Sequence, residues 1–424
     1  MKHLLLIFGL FITSQIYAND TLNISVLEAE KVFIEKNFSL LAQKLNIDAT
    51  KAAIVQAKLW DNPTFFYENS AYYRNPNQQK VDKILPFKGD STRQYAIQIQ
   101  QLFVLAGKRN KKVKLEQINA QIAEYQFYDL LRTLKFELRA TFWNLYFTQQ
   151  TVKEYEEEIK SLSELVKLYD IQREKGNIPL TEVIRLKSFL FTLENEKKEI
   201  LSQMLSDQQV LNTLFANTNF VYYKPVSDLK FRTKIDISTL NINSLIDSAK
   251  ANRFDLKAQE SLWKAEEQNV VLQKSLSVPD LKIGAILDKR SNYINNYVGL
   301  QLSMDIPTFN RNQGNITKAQ LNAEAAQMNL KQSEIEVIQQ VYNSVEQLKK
   351  SNNLYQNFDP NFISDFSRLM DGIKSNYEKR NIPLIEFIDY YESFKNSIKQ
   401  MNALNIDRFN DFERLNFAIG STLF

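Results

Sequence analysis

Apolar residues keep helical spacing over most of this chain and switch to strict alternation only in a few short stretches. The first helical run opens at Ser25-Val26-Leu27-Glu28, the pattern of a capping box, and continues through Val32, Phe33, Leu40, Leu41, Leu45 and Ile54. It should stop near Leu59, because Asn62 precedes Pro63 and a residue before proline disfavours the α conformation. Residues 64–73 are rich in aromatics, and in 94–103 Tyr95, Ile97 and Ile99 alternate with Gln94, Gln98 and Gln100. Both stretches read as strands, the second with one greasy and one wet face. From Lys108 to Lys175 there is neither Gly nor Pro. An unbroken helix of that length would span roughly 100 Å at 1.5 Å per residue. Leu115, Ile118, Ile122 and Tyr125, then Leu131, Leu134, Leu138 and Leu145, step by three and four, as do Val183, Leu186, Leu190, Leu193, Ile200 and Met204 further on. This is the narrow seam of a coiled coil, with Lys153, Glu156, Glu157 and Glu158 expected on its wet side.

The pattern then restarts. Asn217 to Asn243 shows no period and reads as a connection. Ser244 to Lys274 is helical, residues 280–288 and 297–306 read as strands, and a helical stretch follows Gly314, with a break expected at Pro360. Phe38, Leu40, Ala42, Gln43, Ala49 and Pro63 match Phe254, Leu256, Ala258, Gln259, Ala265 and Pro279 at a constant offset of 216. The most similar segments are Glu174 to Ile184 (EKGNIPLTEVI) and Glu378 to Ile388 (EKRNIPLIEFI), identical at eight of eleven positions. Each interrupts a helical pattern and reads as a hairpin tip between antiparallel helices, with Asn177 and Asn381 as candidate N-caps and Pro179 and Pro383 in the following first turn. The chain therefore divides into residues 1–18, a first repeat 19–223 with its tip at 174–184, and a second repeat 224–424 with its tip at 378–388.

Composition narrows the function. Lys2 and His3, the apolar run Leu4 to Ile12 and the small-residue end at Ala18 read as a secretory signal peptide. Its removal would take away the only His, and the chain has no Cys, so no metal site, cofactor, thiol chemistry or histidine triad is expected. No nucleophile is paired with a base and no Gly-rich phosphate loop appears, which argues against an enzyme. A net charge of +4 without a basic, aromatic-interleaved patch argues against nucleic acid. Mean hydropathy is −0.36, and no later run reaches the ~20 apolar residues of a membrane-spanning helix.

The alternating strands fit either a solvated sheet or a transmembrane barrel with lipid outside and water inside. Four strands cannot close a barrel, so the second reading requires several chains, eight strands from two copies or twelve from three. Signal peptide, duplicated order, Asn62-Pro63 before the first strand, Gly107 after the second and two N-I-P-L-x-E tips together resemble the TolC-like outer membrane efflux family over essentially the whole mature chain. The resemblance implies a mainly α fold with a β-barrel part. Duplicated helix–hairpin–helix halves would form long coiled-coil helices plus four strands per chain, and a homotrimer would build a twelve-stranded barrel and a periplasmic α-helical tunnel. It also implies a passive exit duct in outer membrane lipid that docks on a periplasmic adaptor, or membrane fusion, protein attached to an inner-membrane pump. The docking residues would be Asn177, Ile178, Pro179 and Leu180 with Asn381, Ile382, Pro383 and Leu384. A pore constriction would fall on Glu386, Asp389 and Glu182, with Arg185 at the matching first-tip position. Arg380 departs from the family pattern, which would carry Gly there. A type I secretion channel and a periplasmic coiled-coil scaffold with a soluble sheet are the alternatives, and the scaffold would bury its greasy strand face against protein.

Overall fold

The computed structural model describes residues 21–69, 95–227, 237, 240–290, 294–359 and 361–423. The expected signal peptide (1–18), the loop 74–91 and Pro360 lie outside them. The elements run β1 (Thr21–Ile24), α1 (Val26–Lys36), α2 (Phe38–Lys58), β2 (Thr64–Asn69), β3 (Tyr95–Phe103), α3 (Lys108–Glu174), α4 (Leu180–Leu214), β4 (Tyr222–Pro225), α5 (Ile242–Asn252), α6 (Phe254–Leu276), β5 (Leu281–Arg290), β6 (Asn295–Met304), α7 (Gln313–Asn357), α8 (Phe362–Glu378) and α9 (Leu384–Ile419). The capping box is formed: Glu28 N–H donates to Ser25 Oγ at 3.3 Å and Ser25 N–H to Glu28 Oε2 at 2.9 Å.

Three expectations change. The first helix is two, because Asn37 leaves the helical conformation (φ −64°, ψ 117°). Its side chain takes over the broken helix's bonds: Oδ1 accepts from Leu40 N–H at 3.1 Å and Nδ2 donates to the Leu214 carbonyl at 3.0 Å. The matching residue of the second half, Arg253, breaks the helix in the same way (φ −69°, ψ 123°) and pairs with Asp255 at the start of α6. The connection Asn217 to Asn243 holds a strand, β4, parallel to β1 with Thr21 opposite Tyr222. Gln208 of α4 holds that strand by its backbone: its Nε2 donates to the Tyr223 carbonyl at 2.6 Å and its Oε1 accepts from Tyr223 N–H at 2.9 Å. Finally, Lys153, Glu156 and Glu157 are exposed as expected, whereas Glu158 turns inward and its Oε2 is shut off from solvent.

The residues form two compact units, each drawn from both halves of the chain. One takes described residues of Met1–Leu41, Leu130–Asn252 and Ile338–Phe424, the other Ala42–Asp129 and Arg253–Val337. The first is helical apart from the β1–β4 pair. Part of its core is a continuous cluster where α3, α4, α8 and α9 meet, including Leu162, Leu165, Leu186, Leu193, Phe387 and Phe394. Another part is built around Trp143, Phe142, Leu145 and Phe412, each no more than 1 % exposed. Within it Glu413, 2 % exposed, accepts from Trp143 Nε1 at 3.2 Å and from Arg139 Nη1 at 3.0 Å, and Arg139 also binds Glu30. The second unit holds the four-stranded antiparallel sheet, in the order β2-β3-β5-β6.

Candidate functional site: an apolar strand face and two helical tips

Strand register lines up side chains of one kind on one face. Phe65, Ile99, Ala285 and Leu300 sit opposite one another across all four strands, as do Tyr67, Ile97, Leu287 and Val298 in the next row. Paired residues share a face, so the period of two in each strand becomes a belt across the sheet. The belt is uncovered: Phe65 is 65 %, Ile99 55 %, Val298 70 % and Leu300 89 % exposed. On the other face, Gln98 Nε2 donates to Gln301 Oε1 at 2.6 Å, and Gln100 pairs with Gly284. Strands β2 and β6 are the sheet edges, and neither meets a further strand among the described residues.

The two tips have the same backbone. At the first, Gly176 N–H donates to Arg173 C=O and Asn177 N–H to Gln172 C=O, both at 2.9 Å, with Gly176 left-handed at φ +77°. At the second, Arg380 N–H donates to Tyr377 C=O at 2.9 Å and Asn381 N–H to Asn376 C=O at 2.8 Å, with Arg380 at φ +61°. This 6→1 and 5→2 pairing is the Schellman closure of a helix end. Arg380 therefore keeps the turn that its matching glycine makes, at a steric cost of about 1 kcal/mol. Its side chain spans to the other tip, where Nη2 donates to the Asn177 carbonyl at 2.7 Å. Asn177 and Asn381 do not cap the next helix. Their side chains reach back to Gln172 and Asn376, and the N-cap positions belong to Pro179 and Pro383, which make no side-chain cap.

Between the tips lies a cleft of about 340 Å³, lined among others by Tyr169, Ile178, Glu182, Tyr377, Arg380 and Ile382. Its floor is an aromatic stack: Tyr169 lies over Tyr377 at 5.2 Å and Tyr377 over Phe387 at 4.4 Å. Burial raises the pKa of both Tyr169 and Tyr377, keeping them neutral. This stack was not evident from the tip repeat, because Phe387 stands where the first tip has Val183 and the two tyrosines are not at matching positions. Ile178 and Leu384 are buried in the core, Ile382 packs partly against it, and Asn177, Pro179, Leu180, Asn381 and Pro383 are exposed. Glu182 lines the cleft with Arg380. Glu386 and Asp389 lie one turn apart on the exposed face of α9, away from the cleft lining, and Arg185 is exposed on α4. Among the described residues no group of His, Cys, Asp or Glu is arranged to hold a metal ion.

The sequence model of the outer membrane efflux protein family matches residues 32–217 and 245–358. The chain belongs to this family. A characterised relative, the cobalt-zinc-cadmium resistance protein CzcC of Cupriavidus metallidurans, is 20 % identical over 373 residues, covering 87 % of this chain and 83 % of the relative. The fold matches a crystal structure of CusC with a TM-score of 0.75 at 14 % identity, covering 96 % of both chains. It also matches the Campylobacter jejuni outer membrane channel CmeC (TM-score 0.74, 13 % identity, 93 % of this chain and 85 % of that one). The open-state Neisseria gonorrhoeae channel MtrE matches with a TM-score of 0.69 at 12 % identity over 94 % of this chain and 89 % of that one. As an outer membrane efflux protein, this chain is a channel in the outer membrane that extends into the periplasm. Its relatives are channels rather than enzymes. The uncovered apolar belt is the reverse of the soluble scaffold's sheet, whose greasy face would be buried.

Proposed function

We propose that three copies of this chain close a twelve-stranded barrel, continue it as a helical tunnel, and dock through the tips on a periplasmic adaptor protein and its inner-membrane pump. The observation that carries the reading is the apolar belt on a sheet with two open edges. An unpaired strand edge in hydrocarbon costs several kcal/mol per backbone group, so the edges must be joined by other copies. Twelve strands leave a lumen, whereas eight are filled by their own side chains. The exposed tip residues Asn177, Pro179, Leu180, Asn381 and Pro383 offer the docking surface, with the Arg380 cleft between them, while Ile178, Ile382 and Leu384 shape it from beneath.

Glu386 and Asp389 form the pore constriction. Three chains would set six carboxylates around the tunnel mouth, a ring that favours cations and resists closure unless it is screened. Glu182, facing Arg380 in the cleft, would contribute to the docking surface and help place the constriction. The cargo fits divalent cations, which draws on the name of the cobalt-zinc-cadmium relative and on this acidic entrance. The chain would pass such ions rather than hold them. The detergent-corrected mass of the extracted protein tests the assembly: three chains are expected, and a detergent-independent monomer or dimer would end the barrel reading. Glu386→Gln with Asp389→Asn removes both the mutual repulsion that resists closure and the attraction for cations, so it should lower the conductance and the cation preference of the isolated channel, and unchanged conductance and selectivity would remove the constriction while leaving the fold intact.

A further inference from the structure

One buried group of charges serves neither the strand face nor the tips. In the helical unit, Lys395 of α9, 8 % exposed, donates to Glu196 Oε1 of α4 at 3.0 Å, and Tyr155 of α3 donates to Glu196 Oε2 at 2.8 Å. This arrangement ties three helices through one carboxylate. Beside it lies a cavity of about 10 Å³ lined by Glu154, Tyr155, Glu158, Leu193, Lys395 and Ile398, room for no more than one water molecule. Glu158 faces this cavity with an Oε2 that has no solvent exposure and no hydrogen-bond donor. One lysine therefore stands between two carboxylates from different helices and is bonded to one of them.

We propose that Glu158 is a proton-binding site that couples α3 to α9: with the proton on, Lys395 holds α9 to Glu196 of α4, and with the proton off, Glu158 draws Lys395 toward α3. An ionised carboxylate enclosed without a donor is far costlier than a neutral one, so losing the proton forces either a shift of Lys395 or entry of water. Burial, together with Glu154 alongside and against the pull of Lys395, pushes the Glu158 carboxyl up to about 7. Among the described residues, the surrounding groups leave no other cation so placed. On α3, Glu154 repels the charge and Tyr155 is committed to Glu196. On α4, Glu196 is charged and held down by Lys395, with Lys399 of α9 contributing at longer range. From α9, Tyr391 approaches with a phenol that burial pushes up to about 12, so it stays neutral, and on α8 Lys374 donates to Ser161 at 2.7 Å while Asp371 brings no cation. The helices so tied are those that run to the tips, so the ligand is the proton and the response is looser or tighter packing of α9.

The test is hydrogen–deuterium exchange by mass spectrometry on the full mature protein in detergent, between pH 5.5 and 8.5, with rates corrected for intrinsic base catalysis. Protection of α9 around residues 391–399 should fall as pH rises through 7, by up to about tenfold per pH unit. Glu158→Gln, which mimics the protonated group, should hold the low-pH protection across the range. Glu196→Gln frees Lys395 for Glu158 and should move the transition to lower pH by about one unit. Equal pH dependence in wild type and Glu158→Gln would overturn the proposal, and so would a transition that Glu196→Gln leaves in place.

Discussion

Substituting Leu300 by Lys distinguishes a lipid-facing strand from a water-facing one by the sign of its effect. Leu300 lies mid-strand in β6, is 89 % exposed and shares its row with Phe65, Ile99 and Ala285. In water, replacing so exposed a leucine with lysine would change stability by less than about 0.5 kcal/mol and improve solubility. Facing hydrocarbon near the midplane of a barrel, the same change costs about 2–4 kcal/mol per chain, or roughly three times that for a barrel closed by three chains. The control is Gln100→Lys on the opposite face, which in the proposed barrel would line a water-filled lumen, so that the cost should be near zero. Insertion of refolded protein into lipid vesicles, followed by urea titration, reads both. Leu300→Lys should insert poorly and unfold at clearly lower urea, while Gln100→Lys should track the wild type. If Leu300→Lys inserts and unfolds like the wild type, the belt does not face lipid and the barrel argument fails.

Other expectations follow from the same structure. At the tips, Gly176→Ala meets no atom within 4 Å, so its cost is the left-handed backbone alone, about 1 kcal/mol, seen as roughly fivefold faster amide exchange around residue 176. Arg380→Gly relieves that strain but loses the bond to Asn177, so it should be more stable than Arg380→Ala, which loses the bond and keeps the strain, by about 1 kcal/mol in the same measurement. Arg139→Met takes the cation from between Glu30 and the buried Glu413 and should destabilise the helical unit by about 3–5 kcal/mol in denaturant unfolding, whereas a loss below 1 kcal/mol would mean the network is not stabilising. Burial pushes Asp207 up to about 6, against a hydrogen bond from Gln203. Its neutral form is thus favoured in the fold: the associated stability is complete below pH ~4 and disappears as pH rises through about 6. Asp207→Asn should accordingly match the wild type at pH 4 and melt higher at pH 7.5.

The repeat, the strand alternation and the tips were legible because each rests on local chemistry. Helical spacing from Lys108 onward, the Gln–Ile alternation of β3 and the turn residues of Asn-Ile-Pro-Leu report short-range preferences that the fold then keeps. The capping box at Ser25 is of the same kind, as is the interruption on either side of Pro360, where α7 ends at Asn357 and α8 begins at Phe362. Whatever depended on a distant partner was invisible. Asn37 breaks a helix because the Leu214 carbonyl is there to receive its amide, and β4 is a strand because Gln208 and β1 bind both sides of four residues with no period of their own. Asn177 and Asn381 look like caps for the following helix, but each asparagine bonds backward once the Schellman turn has brought the previous helix end within reach. Glu158 reads as one of a run of surface charges, and only the approach of α9 encloses it beside Lys395. Sequence by itself determined most of the helical, strand and turn segments, though not β4 or the break at Asn37, and that two long parts of the chain resemble one another. Tertiary structure decided which polar groups are enclosed, that the strand rows align into one uncovered belt, and that Arg380 reaches the opposite tip, because burial and register are properties of several segments at once.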